Sequence, residues 1–150
     1  MVNPSKAKGT AAETACKRHA QANGFPLADR LTLSGQYDRG DLQLTVGVIA
    51  EVKAGAQAKN ASRGQIDSWL EETETERVNA GASIGLLIVQ PRGIGTSRPG
   101  LWSTWFLRGG DLAECAADAF IFNYPICVTF DHALLILRAA GWGTPIGGDE

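Results

Sequence analysis

Two short apolar runs joined by a tight turn are the feature that most constrains the fold of this 150-residue chain. The runs cover residues 42–45 and 48–52, and Val46 and Gly47 lie between them. Apolar runs of this length, separated by two residues that include a glycine, predict two strands of a β-hairpin. The hairpin therefore constrains where the remaining segments can pack.

Charged residues stand at the ends of both predicted strands. Asp41 begins the first strand, and Glu51 and Lys53 end the second. Residues two apart on a strand point to the same face, and hairpin pairing brings Asp41 near Glu51. Two carboxylates and an ammonium group beside apolar residues are unfavourable unless the charges are used in chemistry, paired or bound to a metal.

This combination of charges predicts phosphodiester hydrolysis. Two carboxylates form an all-oxygen site suited to Mg²⁺, for which Mn²⁺ would substitute. Such a metal lowers the pKa of bound water, and Lys53 would hold the attacking water. Asp41, Glu51 and Lys53 are therefore predicted to be catalytic, with Asp41 and Glu51 as metal ligands. The alternative is a solvated salt bridge at the end of a strand.

The N-terminal segment offers a third carboxylate. Thr10 and Glu13 have the spacing of a capping box, which predicts a helix from residue 10 to about residue 23. Glu13 would either cap this helix or lean over the metal site, and the two roles are compatible. Residues 1–9 are predicted to be a flexible basic lead, in which Lys6 contacts phosphate or is simply solvated.

The segment between this helix and the hairpin supplies candidate phosphate contacts. Residues 27–33 alternate apolar and polar side chains, which predicts a strand. Arg30 on its polar face and Ser34 in the turn after it would bind phosphate, although a surface ion pair explains Arg30 equally well. Arg39 follows in the turn beside the hairpin.

The second half of the chain predicts the remaining layers. A loop is predicted over residues 54–60, and residues 61–79 have the apolar stripe of a helix. Gln65 in the first turns of this helix would face Lys53 and contact substrate or metal-bound water. The alternative is an exposed glutamine without such a role. The glutamates of this helix are predicted to form a solvated acidic face: Glu71, Glu72, Glu74 and Glu76. The continuous apolar run at residues 83–90 predicts a central strand.

Further strands are predicted at residues 101–107 and 126–130, followed by a helix over residues 132–140 that Asp131 caps. Residues 143–150 are predicted to be a disordered acidic tail. The order of elements predicts a single α/β domain, with a mixed central sheet flanked by helices. Apolar residues in this half exceed what one sheet face needs, which predicts an interface between copies of the chain. They are Trp102, Trp105, Phe120, Ile121, Phe122, Tyr124 and the helix residues 134–137.

Charge and cysteine content narrow the function classes. The net charge is −2, but residues 1–63 carry nine Lys and Arg against five Asp and Glu, whereas residues 64–150 carry five against eleven. This asymmetry predicts a basic face that binds phosphates, with Lys59 and Arg63 among its residues. Three cysteines without C-x-x-C spacing and two histidines argue against zinc and predict reduced thiols in the cytoplasm. No secretory leader and no membrane span are predicted.

The order and content of four segments resemble the PD-(D/E)XK nuclease superfamily, and in particular its archaeal-type and phage-encoded Holliday junction resolvases. The segments are residues 8–13, 30–35, 38–41 and 51–53, with Gly40 in place of the motif proline. The resemblance implies a restriction-endonuclease-like core. It also implies that Glu13, Asp41, Glu51 and Lys53 are catalytic.

The resemblance further implies a Mg²⁺-dependent endonuclease that acts as a homodimer, making paired cuts in four-way DNA junctions during recombination or repair. Arg30 and Ser34 would lie at the scissile phosphate. A phage-encoded enzyme would act in the cytoplasm of its host. Two alternatives remain open from the sequence: a nicking, restriction or repair nuclease on the same core, and a DNA-binding module without enzymatic activity.

Overall fold

The computed structural model describes residues 4–31, 39–107 and 125–147, with side chains described from residue 9 onward. Six strands form one sheet in sequence order, and helices cover it. The strands are β1 (Asp29–Arg30), β2 (Leu42–Thr45), β3 (Val48–Lys53), β4 (Ile84–Val89), β5 (Ser103–Phe106) and β6 (Ile126–Thr129). The helices are α1 (Pro4–Ala22), α2 (Ala56–Lys59), α3 (Arg63–Ala80) and α4 (Phe130–Ala139), with a 3₁₀ turn at Pro99–Leu101.

The sheet is mixed, as the sequence predicted. β3 and β4 pair in parallel, and the other neighbouring strands pair antiparallel. All six residues of β4 are buried, which confirms that this strand is central. The parallel β3–β4 connection is made by α2 and α3, as a crossover requires.

The predicted hairpin is confirmed. β2 and β3 are antiparallel, and Leu42 is paired with Ala50. Gly47 in the turn has a φ of +92°, and a Cβ atom there would lie 2.9 Å from Trp142. Glycine is therefore required at this position both by its backbone conformation and by the space available.

The two faces of the sheet are covered by different helices. Val48, Ala50 and Val52 of β3 lie in the larger apolar cluster, together with Ala12 and Cys16 of α1. α4 contributes Leu134 and Leu137 to the same cluster. A smaller cluster on the opposite face joins α3 to the sheet through Trp69, Leu70, Leu87, Val89 and Leu107. Alternate residues of β4 therefore pack in different layers, with Leu86 and Ile88 in the larger cluster.

Several predicted boundaries at the N-terminal side are wrong. α1 begins at Pro4 rather than Thr10, so residues 4–9 are helical and not a flexible lead. Proline is well tolerated in the first turn of a helix, which accounts for the earlier start. Among the described residues 27–31 of the predicted strand 27–33, only Asp29–Arg30 is a strand, and Leu27 is exposed. Residues 32–38 lie outside the described part of the chain.

The C-terminal side differs in similar ways. The segment 54–60 contains α2. α4 is capped by Thr129, whose side chain accepts a hydrogen bond from the His132 N–H, and not by Asp131. Residues 143–147, part of the predicted disordered tail, are exposed but attached to the turn after α1, because the Thr144 N–H donates to the Gly24 carbonyl oxygen at 2.7 Å.

The described members of the predicted apolar excess are mostly packed in the core. Trp102, Leu134 and Leu137 are almost completely buried within the chain. Trp105 packs against the smaller cluster, and Leu135 alone of this helix set is half exposed. Residues 120–124 lie outside the described part of the chain. Among the described helices, none is both long and apolar enough to cross a membrane.

Candidate active site

The hairpin brings Asp41 and Glu51 together. Asp41 lies immediately before β2, and its N–H donates to the Ala50 carbonyl oxygen at 3.0 Å. The Val52 N–H in turn donates to Asp41 Oδ2 at 2.8 Å. These two bonds fix the Asp41 carboxylate against β3 beside Glu51, which confirms the proximity that the sequence predicted.

Lys53 completes this group on the α3 face of the sheet. Its Nζ atom lies 3.3 Å from Glu51 Oε1 and 3.7 Å from Glu72 Oε2. The same ammonium group lies 5.5 Å from the centre of the Trp69 ring. An aromatic face attracts a cation at this distance, so Lys53 is held at the site by three neighbours.

The environment of the Asp41 and Glu51 carboxyl groups disfavours their charged form. Burial, followed by the charge of Glu51, raises the pKa of Asp41 to about 8. Burial, followed by the hydrogen bond and the charge of Glu76, raises the pKa of Glu51 to about 8. The environment therefore favours the protonated form of each carboxyl group, and a further cation would favour the charged form.

Lys53 shifts in the opposite sense from a simple buried amine. Burial lowers the pKa of Lys53, but the charge of Glu51 and its hydrogen bond outweigh that cost, with help from Glu72 and Asp41. The pKa of Lys53 is therefore raised above its ordinary value. The site keeps a permanent ammonium group next to carboxyl groups whose charge depends on what else is bound.

Glu13 approaches the same group from α1. Its charge contributes to the raised pKa of Asp41 and, after burial, to the raised pKa of the Cys16 thiol. Glu13 Oε2 accepts a hydrogen bond from Arg30 Nε at 2.9 Å. Arg30 is thus in the ion pair that the sequence allowed, and this pair lies at the edge of the site.

One glutamate of α3, Glu76, is buried at the site, contrary to the prediction that all four form a solvated face. Glu76 is 6% exposed and contacts Glu51, and Glu72 pairs with Lys53. Trp69, Thr73 and Glu76 lie at positions i, i+4 and i+7, and all three are buried. This helical spacing was the available signal that Glu76 points toward the sheet.

The other predicted contacts are not gathered here. The N–H of Gln65 donates to Ser62 Oγ in the cap of α3, and no hydrogen bond joins its side chain to Lys53 or the carboxylates among the described residues. Arg39 is exposed next to the hairpin. Ser34 and the side chain of Lys6 lie outside what the structure describes.

The donor set fits one hard divalent cation at the Asp41–Glu51 pair. Glu51 Oε2 is buried and makes no hydrogen bond in the described part of the chain. An uncompensated buried carboxylate oxygen is costly, and an Mg²⁺ or Mn²⁺ ion would remove that cost. Within residues 9–31, 39–107 and 125–147, no group of three or more His, Cys, Asp or Glu is arranged to hold a metal.

No protein-family model, curated protein or solved structure matches this chain.

Proposed function

We propose that this chain is a metal-dependent endonuclease that cleaves branched DNA, with four-way junctions as its preferred substrate. The observation that carries the proposal is the buried Asp41–Glu51 pair, next to the ammonium group of Lys53. The resemblance of four segments to the junction-resolving nucleases points to the same three residues and, in addition, to Glu13. The geometry and the resemblance are independent arguments for one chemistry.

Each residue has a role that follows from its contacts. Asp41 and Glu51 would hold Mg²⁺ or Mn²⁺, which supplies charge neutralisation and acidifies water when bound. Lys53 orients the attacking water and offsets negative charge that develops on the phosphate. Arg30, whose side chain is 39% exposed, holds Glu13 and has donors left for the scissile phosphate.

Cleavage of a four-way junction requires two opposed cuts. Such a junction is approximately two-fold symmetric, and the chain has one Asp41–Glu51–Lys53 group. We therefore include a homodimer in the proposal, because a closed two-fold dimer matches the symmetry of the substrate. The burial of Trp102 and Leu134 removes the apolar argument that the sequence gave for those residues.

Burial also weighs against the rival class, a DNA-binding module whose acids only form ion pairs. A structural salt bridge at the end of a strand is normally solvated. The Glu51 side chain is only 9% exposed and contacts a second carboxyl group. Placing two acids together in the interior gives no structural benefit that an apolar pair would not give.

The test compares duplex, nicked, flap and four-way DNA with Mg²⁺ or Mn²⁺ and with EDTA. We expect metal-dependent cutting, greatest on the four-way junction. Asp41→Asn should abolish cutting and leave junction binding largely intact, because asparagine can still accept the Val52 N–H. Asp67→Asn, an exposed change on α3, is the matched control and should cut at the wild-type rate.

An Asp41→Asn protein that cuts at the wild-type rate would overturn the assignment. Binding without any metal-dependent cutting would favour the DNA-binding module. Equal cutting of all four substrates would place the chain among the other nucleases of this core.

A further inference from the structure

We infer that a groove between α1 and the loop over residues 91–98 binds the phosphodiester backbone of one DNA strand next to the active site. The inference rests on the proposed function for the identity of the ligand. Two cavities form the groove, with volumes of about 460 and 570 Å³. They share Ala11 and Thr96 in their walls, so they are continuous.

The charge of the groove is of one sign. Arg18, Lys59 and Arg92 are in its walls, together with the amide side chains of Asn60 and Gln90. No carboxylate is among the lining residues in the described part of the chain. By contrast, a cavity of about 450 Å³ against α3 is lined by Asp67, Glu71 and Glu74. A polyanion is therefore drawn to the first cavity pair and repelled by the second.

The cations of the groove are available to a ligand. Arg18 and Lys59 are exposed, and their side chains make no hydrogen bond or ion pair with any described residue. Arg92 is already oriented, because its Nε donates to the Lys59 carbonyl oxygen at 3.0 Å and its Nη2 contacts Asn60 Oδ1. A guanidinium group fixed in this way loses little freedom when it binds phosphate.

The shape of the groove fits a backbone rather than a bulky group. Its floor is made of small residues that allow close approach: Ala11, Ala12, Ala15, Ala54, Gly55 and Ala56. Ala11 and Arg18 share one face of α1 and lie about 10 Å apart along its axis, so the groove follows this helix for about two turns. The floor reaches Ala54, which directly follows Lys53 at the end of β3, so the groove opens on the α1 side of the sheet edge that carries the site.

This surface differs from the one the sequence predicted. Of the predicted cations whose side chains the structure describes, only Lys59 lies in the groove, while Arg18 and Arg92 were not predicted to bind phosphate. Arg63 bonds to Asp67 and lies over the Trp105 ring, next to the acidic cavity. We therefore assign Arg63 no phosphate, which makes it a useful control.

A gain of affinity tests the inference without the risk of unfolding. Thr96→Lys adds a cation where the two cavities meet, and Thr75→Lys adds one on the exposed surface of α3. Binding of a labelled four-way junction is measured by fluorescence anisotropy in EDTA over a series of salt concentrations. Thr96→Lys should tighten binding about five- to tenfold at 0.1 M salt and steepen the slope of log K against log salt by about 0.9. Thr75→Lys should change neither.

The matching losses use Arg18→Gln, Lys59→Gln and the control Arg63→Gln. Each groove variant should weaken binding about five- to tenfold at 0.1 M salt and reduce the slope by about 0.9, and the control should match the wild type. Equal effects of groove and control variants would overturn the inference, as would a wild type that binds no DNA. Wild-type cutting with unchanged slopes in the groove variants would refute the groove alone. Groove-dependent binding without cutting in any metal would refute the proposed function alone.

Discussion

The two faces of the sheet treat the same strand in opposite ways. On the α1 face, Val48, Ala50 and Val52 of β3 enter a continuous apolar core. On the α3 face, Glu51 and Lys53 of the same strand enter a cluster of charged groups. Successive side chains of a strand point to opposite faces, so the chain can concentrate its stability on one side and its chemistry on the other.

This division has an energetic consequence. Burial of apolar side chains on the α1 face stabilises the fold, whereas burial of carboxyl groups on the α3 face opposes it. A functional site that is partly destabilising must be supported by elements elsewhere. The comparison between the two faces can therefore be tested with matched substitutions on each.

The largest expected effect is on the α1 face. Leu134 of α4 is 1% exposed in the core, and its neighbour Leu135 is 50% exposed. Leu134→Ala should lower the free energy of unfolding by about 3 kcal/mol, because it leaves a cavity in a packed core. Leu135→Ala removes the same atoms from a half-exposed position and should cost less than about 1 kcal/mol. Urea denaturation measures both, and equal losses would show that α4 does not pack as described.

The next effect concerns the α3 face and has the opposite sign. The pKa values of Asp41 and Glu51 are raised to about 8 in the folded chain, from ordinary values of 3.8 and 4.5. The folded state therefore holds more protons than the unfolded state between about pH 4 and pH 8. The stability that these groups contribute is fully present below pH 4 and is lost as the pH rises through 8.

In EDTA, the free energy of unfolding should fall between pH 5 and pH 8. Glu51→Gln should reduce that fall and stabilise the chain at pH 8 by roughly 1 to 3 kcal/mol. Glu71→Gln, on the exposed surface of α3, is the control and should leave the pH profile unchanged. A wild type that becomes more stable as the pH rises over this range would contradict the arrangement of the two carboxyl groups.

A divalent cation should offset the fall in the free energy of unfolding as the pH rises. Mg²⁺ or Mn²⁺ binds the deprotonated carboxylates, so its effect on the melting temperature should grow from pH 6 to pH 8. At a metal concentration ten times the dissociation constant, the gain is about 1.4 kcal/mol. Asp41→Asn should lose this gain. An equal gain in the Asp41→Asn protein would place the bound cation elsewhere.

The group of charged residues on one face of the sheet could be predicted from the sequence, because it depends on local spacing. One short turn separates Asp41 from Glu51 and Lys53, and this spacing predicted that the three residues lie close together. The apolar run at residues 83–90 predicted the central strand. Helix boundaries were less accessible where two signals competed, as at Pro4 and Thr10. The burial of Glu76 was not predicted. Four glutamates close together in sequence indicated a solvated face, but they point in different directions around the axis of α3, and Glu76 points toward the sheet.

The smallest expected effect separates two of those glutamates. Glu72 Oε2 is 3.7 Å from Lys53 Nζ, and its side chain is 54% exposed. A solvated pair of this kind contributes little, so Glu72→Gln should change the free energy of unfolding by less than about 0.5 kcal/mol. Glu76 is buried against Glu51, and Glu76→Gln removes the carboxyl group whose hydrogen bond and charge raise the pKa of Glu51. It should therefore flatten the pH profile of stability in EDTA, as Glu51→Gln does, while Glu72→Gln leaves that profile unchanged. Denaturation of both variants at pH 5 and pH 8 makes the comparison, and a flat profile for Glu72→Gln alone would mean that the wrong glutamate has been assigned to the interior.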